Sequence, residues 1–229
     1  MHVDFSDVPE CFAPAIKAIE DVAVSRSHIL LRGPAGIGGT MLARRIPTIL
    51  PRLEQNQSEE LGMVYLKAGL NHRLVDGPGP FSFSDEPPFR APHHTVSMPG
   101  AIGGKIRGSI RLGELHLARY GVLFLDQLPE FHAAVVQGIG AKLADSHVMV
   151  VASATVCPCG AGIAGGRNLR CDCSANARAS FNRRVQLYAN MIGIPFSTEI
   201  GNTSLKCLKG PRCESSQAIR ERLYGGRET

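Results

Sequence analysis

The sequence predicts an α/β chain built on a mainly parallel sheet, on three observations. An apolar run, Ile29–Leu31, leads into a glycine-rich turn and then into a helix-like stretch. A second apolar run, GVLFL at Gly121–Leu125, ends in Asp126 and has no polar alternation, as a strand buried on both faces requires. A third run, Val148–Ala152, follows a helical stretch, so strands alternate with helices.

Taken in order, residues 1–24 read as an entry segment and a helix with Phe12, Ala15, Ile16, Ile19 and Val22 on one face. The strand at Ile29–Leu31, the glycine loop and a helix to about Leu50 follow, closed by Pro51. Ser58–Leu70 suits another helix, and Asp76–Pro99 reads as a long irregular connection containing PFRAPHHTVS, residues 88–97. Ala101–Arg111 is a glycine-rich basic loop with Lys105, Arg107 and Arg111, and Gly113–Arg119 a short helix. Phe131–Leu143 reads as a helix weakened by Gly138 and Gly140, each costing about 1 kcal/mol relative to Ala. From Ala161 to Ser180 the chain is polar, glycine-rich and cysteine-bearing, and SSQAIRERLYGGRET near its end is a capped helix start.

Composition bounds the rest. With 229 residues, 44% of them apolar, one compact domain plus an appendage is expected. A formal charge of +5 permits nucleic acid as a partner without demanding it. No apolar run approaches the length of a membrane span and MHVDFSDVPE lacks a signal peptide's apolar segment, so a cytoplasmic chain is expected. Seven cysteines, an odd number, point away from a disulfide framework and towards metal binding or free thiols.

The glycine turn carries the chemistry. GPAGIGGT, Gly33–Thr40, matches the phosphate-binding pattern G-x-x-x-x-G-K-[ST] except that position 39 is glycine, not lysine. Such a loop aims backbone N–H groups at phosphates, and the loop residues Gly33, Pro34, Ala35, Gly36, Ile37, Gly38, Gly39, Thr40 and Met41 are the candidate nucleotide-binding residues. The Thr40 hydroxyl and the Asp126 carboxylate are the candidate Mg²⁺ ligands. Replacing the lysine by Gly39 removes a charge-assisted contact of about 1.5–3 kcal/mol, roughly ten- to a hundredfold in phosphate affinity or more. Gln127 stands where a water-activating glutamate is usual and cannot accept a proton, a loss of about 10²–10⁴-fold in rate. No intact catalytic group is expected, and Arg44 and Arg45 lie too far along the helix to replace the lysine.

The second constellation is Cys157-Pro-Cys159 with Cys171-Asp-Cys173. Four thiolates in two close pairs suit tetrahedral Zn²⁺, and reduced cysteines in a loop are the other reading of the same spacing. Cys11, Cys207 and Cys213 read as incidental, and His93–His94 as turn or packing residues, with ligand or phosphate-contact roles as the alternative.

With these residues in hand, the chain resembles the magnesium-chelatase-like AAA+ ATPases of the ComM/YifB competence-related branch. The resemblance rests on DFSDV (4–8), ILLRGPAGIGGTMLARRIPTILP (29–51), PFRAPHHTVS (88–97), IGG (102–104), GELHLARYGVLFLDQLPEF (113–131), CPCG (157–160) and ESSQAIRER (214–222). It implies a three-layer α/β/α P-loop core over residues 1–200, with 201–229 as the remnant of a C-terminal helical lid. It also implies ATP and Mg²⁺ as cofactors, a hexameric ring of one or several kinds of chain, and movement of DNA branches during recombination. The same resemblance exposes departures. Thr155 stands at the sensor asparagine, only Asp145–Met149 stand where a pore hairpin is expected, and Tyr188–Ile194 has no arginine finger. The lid helices stop at Thr229. These departures predict a degenerate module with weak nucleotide binding, impaired hydrolysis and weakened DNA contact. A zinc-stabilised protein- or DNA-binding module and a non-functional remnant are the alternatives.

Overall fold

The computed structural model describes residues 3–71, 73–75, 82–106, 109–160, 171–200 and 211–225. Short 3-10 turns at Phe5–Asp7 and Glu10–Phe12 lead into α1 (Ala13–Ser25), which buries Ile16, Ile19, Val22 and Ala23. β1 (Ile29–Arg32) runs into the glycine loop, after which come α2 (Gly39–Ala43) and α3 (Ile46–Ile49). The single helix expected to about Leu50 is therefore broken at Arg44–Arg45. Pro47 has no N–H to bond the Ala43 carbonyl, so the turn cannot propagate through it. α4 (Gln55–Lys67) opens on a capping box, the Gln57 side chain accepting from the Glu54 amide at 3.1 Å.

β2 (Leu74–Val75) and β3 (Ser82–Phe83) pair as a small antiparallel ribbon. β4 (Phe89–Arg90) and α5 (Met98–Ile102) follow, then a hairpin of β5 (Gly104–Ile106) and β6 (Ser109–Arg111). The expected irregular connection and basic loop thus hold short ordered elements. α6 (Glu114–Leu117), β7 (Val122–Leu125), α7 (Ala133–Lys142) and β8 (Met149–Ala154) come next. α8 (Ala175–Ile192), β9 (Phe196–Glu199) and α9 (Ser216–Tyr224) complete the described chain. Within the stretches discussed above, residues 76–81, 107–108, 161–170, 201–210 and 226–229 lie outside the described residues.

β4, β7, β8, β1 and β9 form one sheet in that order, every pair parallel. β7 and β8 are buried along their whole length, as their unbroken apolar runs require. Alternate side chains divide between two cores. Ile29, Leu31, Val122, Phe124, Met149 and Val151 pack with α1, α2, α3 and α9. Leu30, Leu123, Leu125, Val150 and Ala152 pack with α7 and α8 on the other side. This is a three-layer α/β/α sandwich.

Gly138 and Gly140 do more than weaken α7. A Cβ on Gly140 would stand 1.9 Å from the Met191 carbonyl oxygen, and one on Gly138 would stand 2.6 Å from Met98 Sδ. They let α7 approach α8 and α5 closely, so their helix-propensity cost is offset by packing.

α9 is docked rather than dangling. Ser216 Oγ accepts from the Phe5 amide at 3.0 Å, and the Asp4 carboxylate accepts from the Ser216 amide at 3.2 Å. Arg222 forks onto buried Glu20 at 2.8 and 3.1 Å. Two sequence blocks far apart in the chain, DFSDV and ESSQAIRER, are therefore one contact. Cys11, read as incidental, is disulfide-bonded. It sits where Glu10 N–H donates to the Pro211 carbonyl and Cys213 N–H to Val8, a long-range pairing that sequence spacing does not reveal.

Candidate functional site

The register brings the site together. Leu31 of β1 lies beside Ser153 of β8, and Leu125 of β7 beside Ala152. The residues that follow, Gly33 and Asp126, therefore emerge at one carboxyl edge of the sheet. The chain leaves β1 towards β4, β7 and β8 and returns to lay β9 on its other side, which places a crevice at this edge.

A cavity of about 240 Å³ occupies that crevice, lined by Gly33–Thr40, Asp126, Gln127 and Ser153. Thr40 Oγ1 donates to Asp126 Oδ2 at 3.1 Å, and Ser153 Oγ donates to Asp126 Oδ1 at 2.6 Å. Ser153 Oγ also accepts from the Gln127 amide at 2.7 Å, holding a residue in the left-handed region at φ 55°. The expected pairing of Thr40 with Asp126 is thus present, and Ser153 is a positioning residue that the sequence reading missed. A small polar residue inside VMVVASA was its only signal.

The residues fit a nucleotide phosphate in backbone and cation ligands, and lack the lysine. Gly36 and Gly38 hold φ of 75° and 113°, keeping the loop in a curve closed to most side chains. The first-turn amides of α2 have no carbonyl one turn earlier to bond. A hydroxyl beside a carboxylate is the hard-oxygen set that Mg²⁺ accepts. At Gly39 a Cβ would meet Ile200 Cδ1 at 3.6 Å and Ser153 Cβ at 3.9 Å, ordinary contacts, so glycine there is not a packing requirement. No lysine or arginine is among the described residues lining the cavity. Arg45 is turned to the Asp4 and Met41 carbonyls at 2.7 and 3.0 Å, away from the loop.

The four cysteines also come together. Their sulfur atoms all lie within 4.8 Å of one another, with Cys157 Sγ 3.2 Å from Cys159 Sγ and 3.6 Å from Cys171 Sγ. Tetrahedral thiolates at about 2.3 Å from a Zn²⁺ ion would be roughly 3.8 Å apart, so the cluster could hold a metal with small adjustments. The Cys171 thiol is pushed up to about 12, its backbone hydrogen bond with Cys173 outweighed by the crowded sulfurs of Cys157, Cys159 and Cys173 and by desolvation. Cys157 is buried in the turn that follows β8, and its carbonyl accepts from Thr155 Oγ1 at 2.8 Å. Thr155 is thereby turned into the cysteine turn.

Other sequence candidates serve the fold. The His93 and His94 ring centroids lie 4.0 Å apart, tilted at 38°, and His93 Nδ1 lies 2.9 Å from Thr95 Oγ1, a turn-and-packing arrangement. Arg90 of PFRAPHH forks onto Glu114 at 2.7 and 2.9 Å, tying β4 to α6. Tyr188–Ile194 is the last turn of α8 and its cap, with Tyr188, Ala189 and Ile192 buried. No described helix is long and apolar enough to cross a membrane.

A family model described as magnesium chelatase, subunit ChlI, matches residues 4–189. Competence protein ComM of Haemophilus influenzae is 33% identical over 178 residues, 77% of this chain and 29% of that protein. An uncharacterized protein of Mycobacterium tuberculosis is 34% identical over 157 residues, 62% of this chain and 30% of its own length. YifB of Escherichia coli is 36% identical over 124 residues, 54% of this chain and 22% of its own. The chain thus spans about 30% or less of the length of these relatives. Among solved structures, a complex of magnesium chelatase subunits BchI and BchD aligns at a TM-score of 0.48 and 12% identity, over 98% of this chain and 67% of that chain.

Proposed function

The chain belongs to the magnesium chelatase ChlI family, and from that premise we propose that it is an ATP-binding AAA+ module of the ComM type, impaired in hydrolysis. One observation carries the reading: Thr40 and Asp126 converge within 3.1 Å at the mouth of a glycine loop whose curve is kept. In this reading the amides of Gly36 and of Gly38–Met41 hold the phosphates, and Thr40 with Asp126 holds Mg²⁺, which neutralises phosphate charge when bound. Gly39 leaves the grip weak, and Gln127 leaves the attacking water without a base.

The wider family traits belong to the same proposal. The module sits in the cytoplasm and joins a hexameric ring of like or related chains as a weak or inactive subunit. DNA contact is reduced, because only residues 143–148, with a turn at 144–146, join α7 to β8 where a pore hairpin is expected. We assign residues 1–200 to the nucleotide-binding core and 201–229 to its lid. Zn²⁺ in the four-cysteine cluster is the second cofactor. That cluster also favours one competing reading, a zinc-stabilised protein- or DNA-binding module that no longer takes nucleotide.

Titration with a fluorescent ATP analogue, with and without Mg²⁺, separates these readings when run beside Gly39→Lys and Gly39→Lys/Gln127→Glu. The single variant should bind about ten- to a hundredfold more tightly than the original chain. The double variant should also gain about 10²–10⁴-fold in hydrolysis. If no form binds, the nucleotide reading falls and the zinc module stands.

A further inference from the structure

The cysteine cluster and the phosphate loop are in contact, and the contact runs through backbone hydrogen bonds. The Gly160 amide donates to the Cys157 carbonyl at 3.0 Å, closing the turn Cys157–Gly160. The Gly160 carbonyl then accepts from the Ala35 amide of the phosphate loop at 2.8 Å. A Cβ on Gly160 would lie 3.1 Å from Ala35 Cβ, so the two turns already touch. The loop's other early amide, Gly33, donates to the Ala154 carbonyl at 3.2 Å, at the end of the strand that leads into Cys157. Thr155, between them, spends its hydroxyl on the Cys157 carbonyl at 2.8 Å.

We propose that metal held by Cys157, Cys159, Cys171 and Cys173 clamps the phosphate loop, fixing the Gly160 carbonyl so that it holds the Ala35 amide. The inference rests on the zinc reading above and is independent of whether nucleotide binds. Without a metal, hydrogen bonds within the turn and to the Ala35 amide hold it against the crowding of four sulfurs. With one, four ligand bonds tie the turn to the segment that opens α8, and the carbonyl's position becomes rigid. The ligand class is a soft or borderline divalent cation that accepts four thiolates, with Zn²⁺ first and Co²⁺ as its spectroscopic substitute.

The test uses the full chain and no nucleotide. Co²⁺ is titrated into chelator-stripped protein, and the thiolate-to-cobalt absorption band reports occupancy. Amide hydrogen exchange is then read by NMR in the stripped and Zn²⁺-loaded forms. The Ala35 amide should exchange on the order of tenfold or more slowly in the loaded form, an opening cost of about 1.4 kcal/mol. Leu30 and Val151, deep in the sheet, should be unchanged. Equal Ala35 protection with and without bound metal overturns the clamp. Loss of protection throughout the stripped protein overturns it too, by making the metal a staple of the whole fold. Absence of the cobalt band overturns the zinc reading and the clamp with it, while leaving the nucleotide reading to its own titration. A Cys171→Ser/Cys173→Ser variant, which leaves buried Cys157 in place, should match the stripped protein at Ala35.

Discussion

The phosphate cleft and the cysteine cluster lie side by side at the carboxyl edge of one sheet, yet they have kept different things. The cleft keeps its backbone: the curve at Gly36 and Gly38, and Asp126 held by Thr40 and Ser153 at 3.1 and 2.6 Å. Where the phosphate-binding pattern calls for a lysine and a glutamate it carries Gly39 and Gln127. The cluster is the reverse. All four side chains are present within 4.8 Å, brought together from two segments of the chain. The cleft's shape is set by β1, β7 and β8 packed beneath it, which a substitution at the loop tip does not disturb.

Removing one thiol is the largest single change this contrast predicts. Cys157→Ala should lower Zn²⁺ affinity by more than about 100-fold, beyond the effect of losing an outer-shell partner, as measured by competition with a colorimetric chelator. The cleft should keep its fold, so secondary structure by circular dichroism should be little changed. If the variant holds Zn²⁺ as tightly as the parent, the four cysteines are not one site and the contrast collapses.

A smaller effect separates two neighbouring glycines. Gly38→Ala forces a side chain into φ 113° with its Cβ 3.2 Å from Met41 Cε, and should cost about 1–3 kcal/mol of stability. Gly39→Ala enters ordinary contacts in the first turn of α2 and should be neutral or stabilise by up to about 1 kcal/mol. Urea midpoints measure both. Equal costs would mean that glycine at 39 is needed for the backbone.

What the sequence disclosed follows the same division. Thr40 and Asp126 were legible because each is fixed by its place at the end of an apolar run, and the sheet order brings those ends together. Ser153 was not, because its role depends on the pairing of Leu31 with Ser153, which no single strand's sequence contains. α8 was also missed, although Val185, Tyr188, Ala189 and Ile192 are spaced as a helical stripe. The polar, cysteine-bearing stretch before it dominated the reading of that region. Gly138 and Gly140 read as weak points for a related reason: propensity is local, and the helix–helix approach they permit is not. β9 is an exposed edge strand, with Phe196 49% exposed, and gives no buried run to recognise.

The smallest predicted effect probes the scaffold at the end of the sheet away from both sites. His28 precedes β1, and its Nδ1 accepts from the Val150 amide of β8 at 3.1 Å, joining the two strands that carry the cleft and the cluster. Burial pushes its pKa below the ordinary value of 6.5, and burial moves His116 the same way. Below that value the unfolded chain binds protons that the folded one refuses, so stability rises with pH and is lost as the pH falls from 6.5 towards the depressed folded pKa. Chelator-stripped protein keeps thiolate–metal equilibria out of the measurement. Its urea midpoint should drop between about pH 7.5 and about pH 5.5, and His28→Asn, which retains an acceptor without titrating, should drop less. His116 should account for part of what is left. An unchanged acid slope in the variant would place the sensitivity elsewhere. A smaller slope would show that the scaffold under both sites answers to a group that belongs to neither.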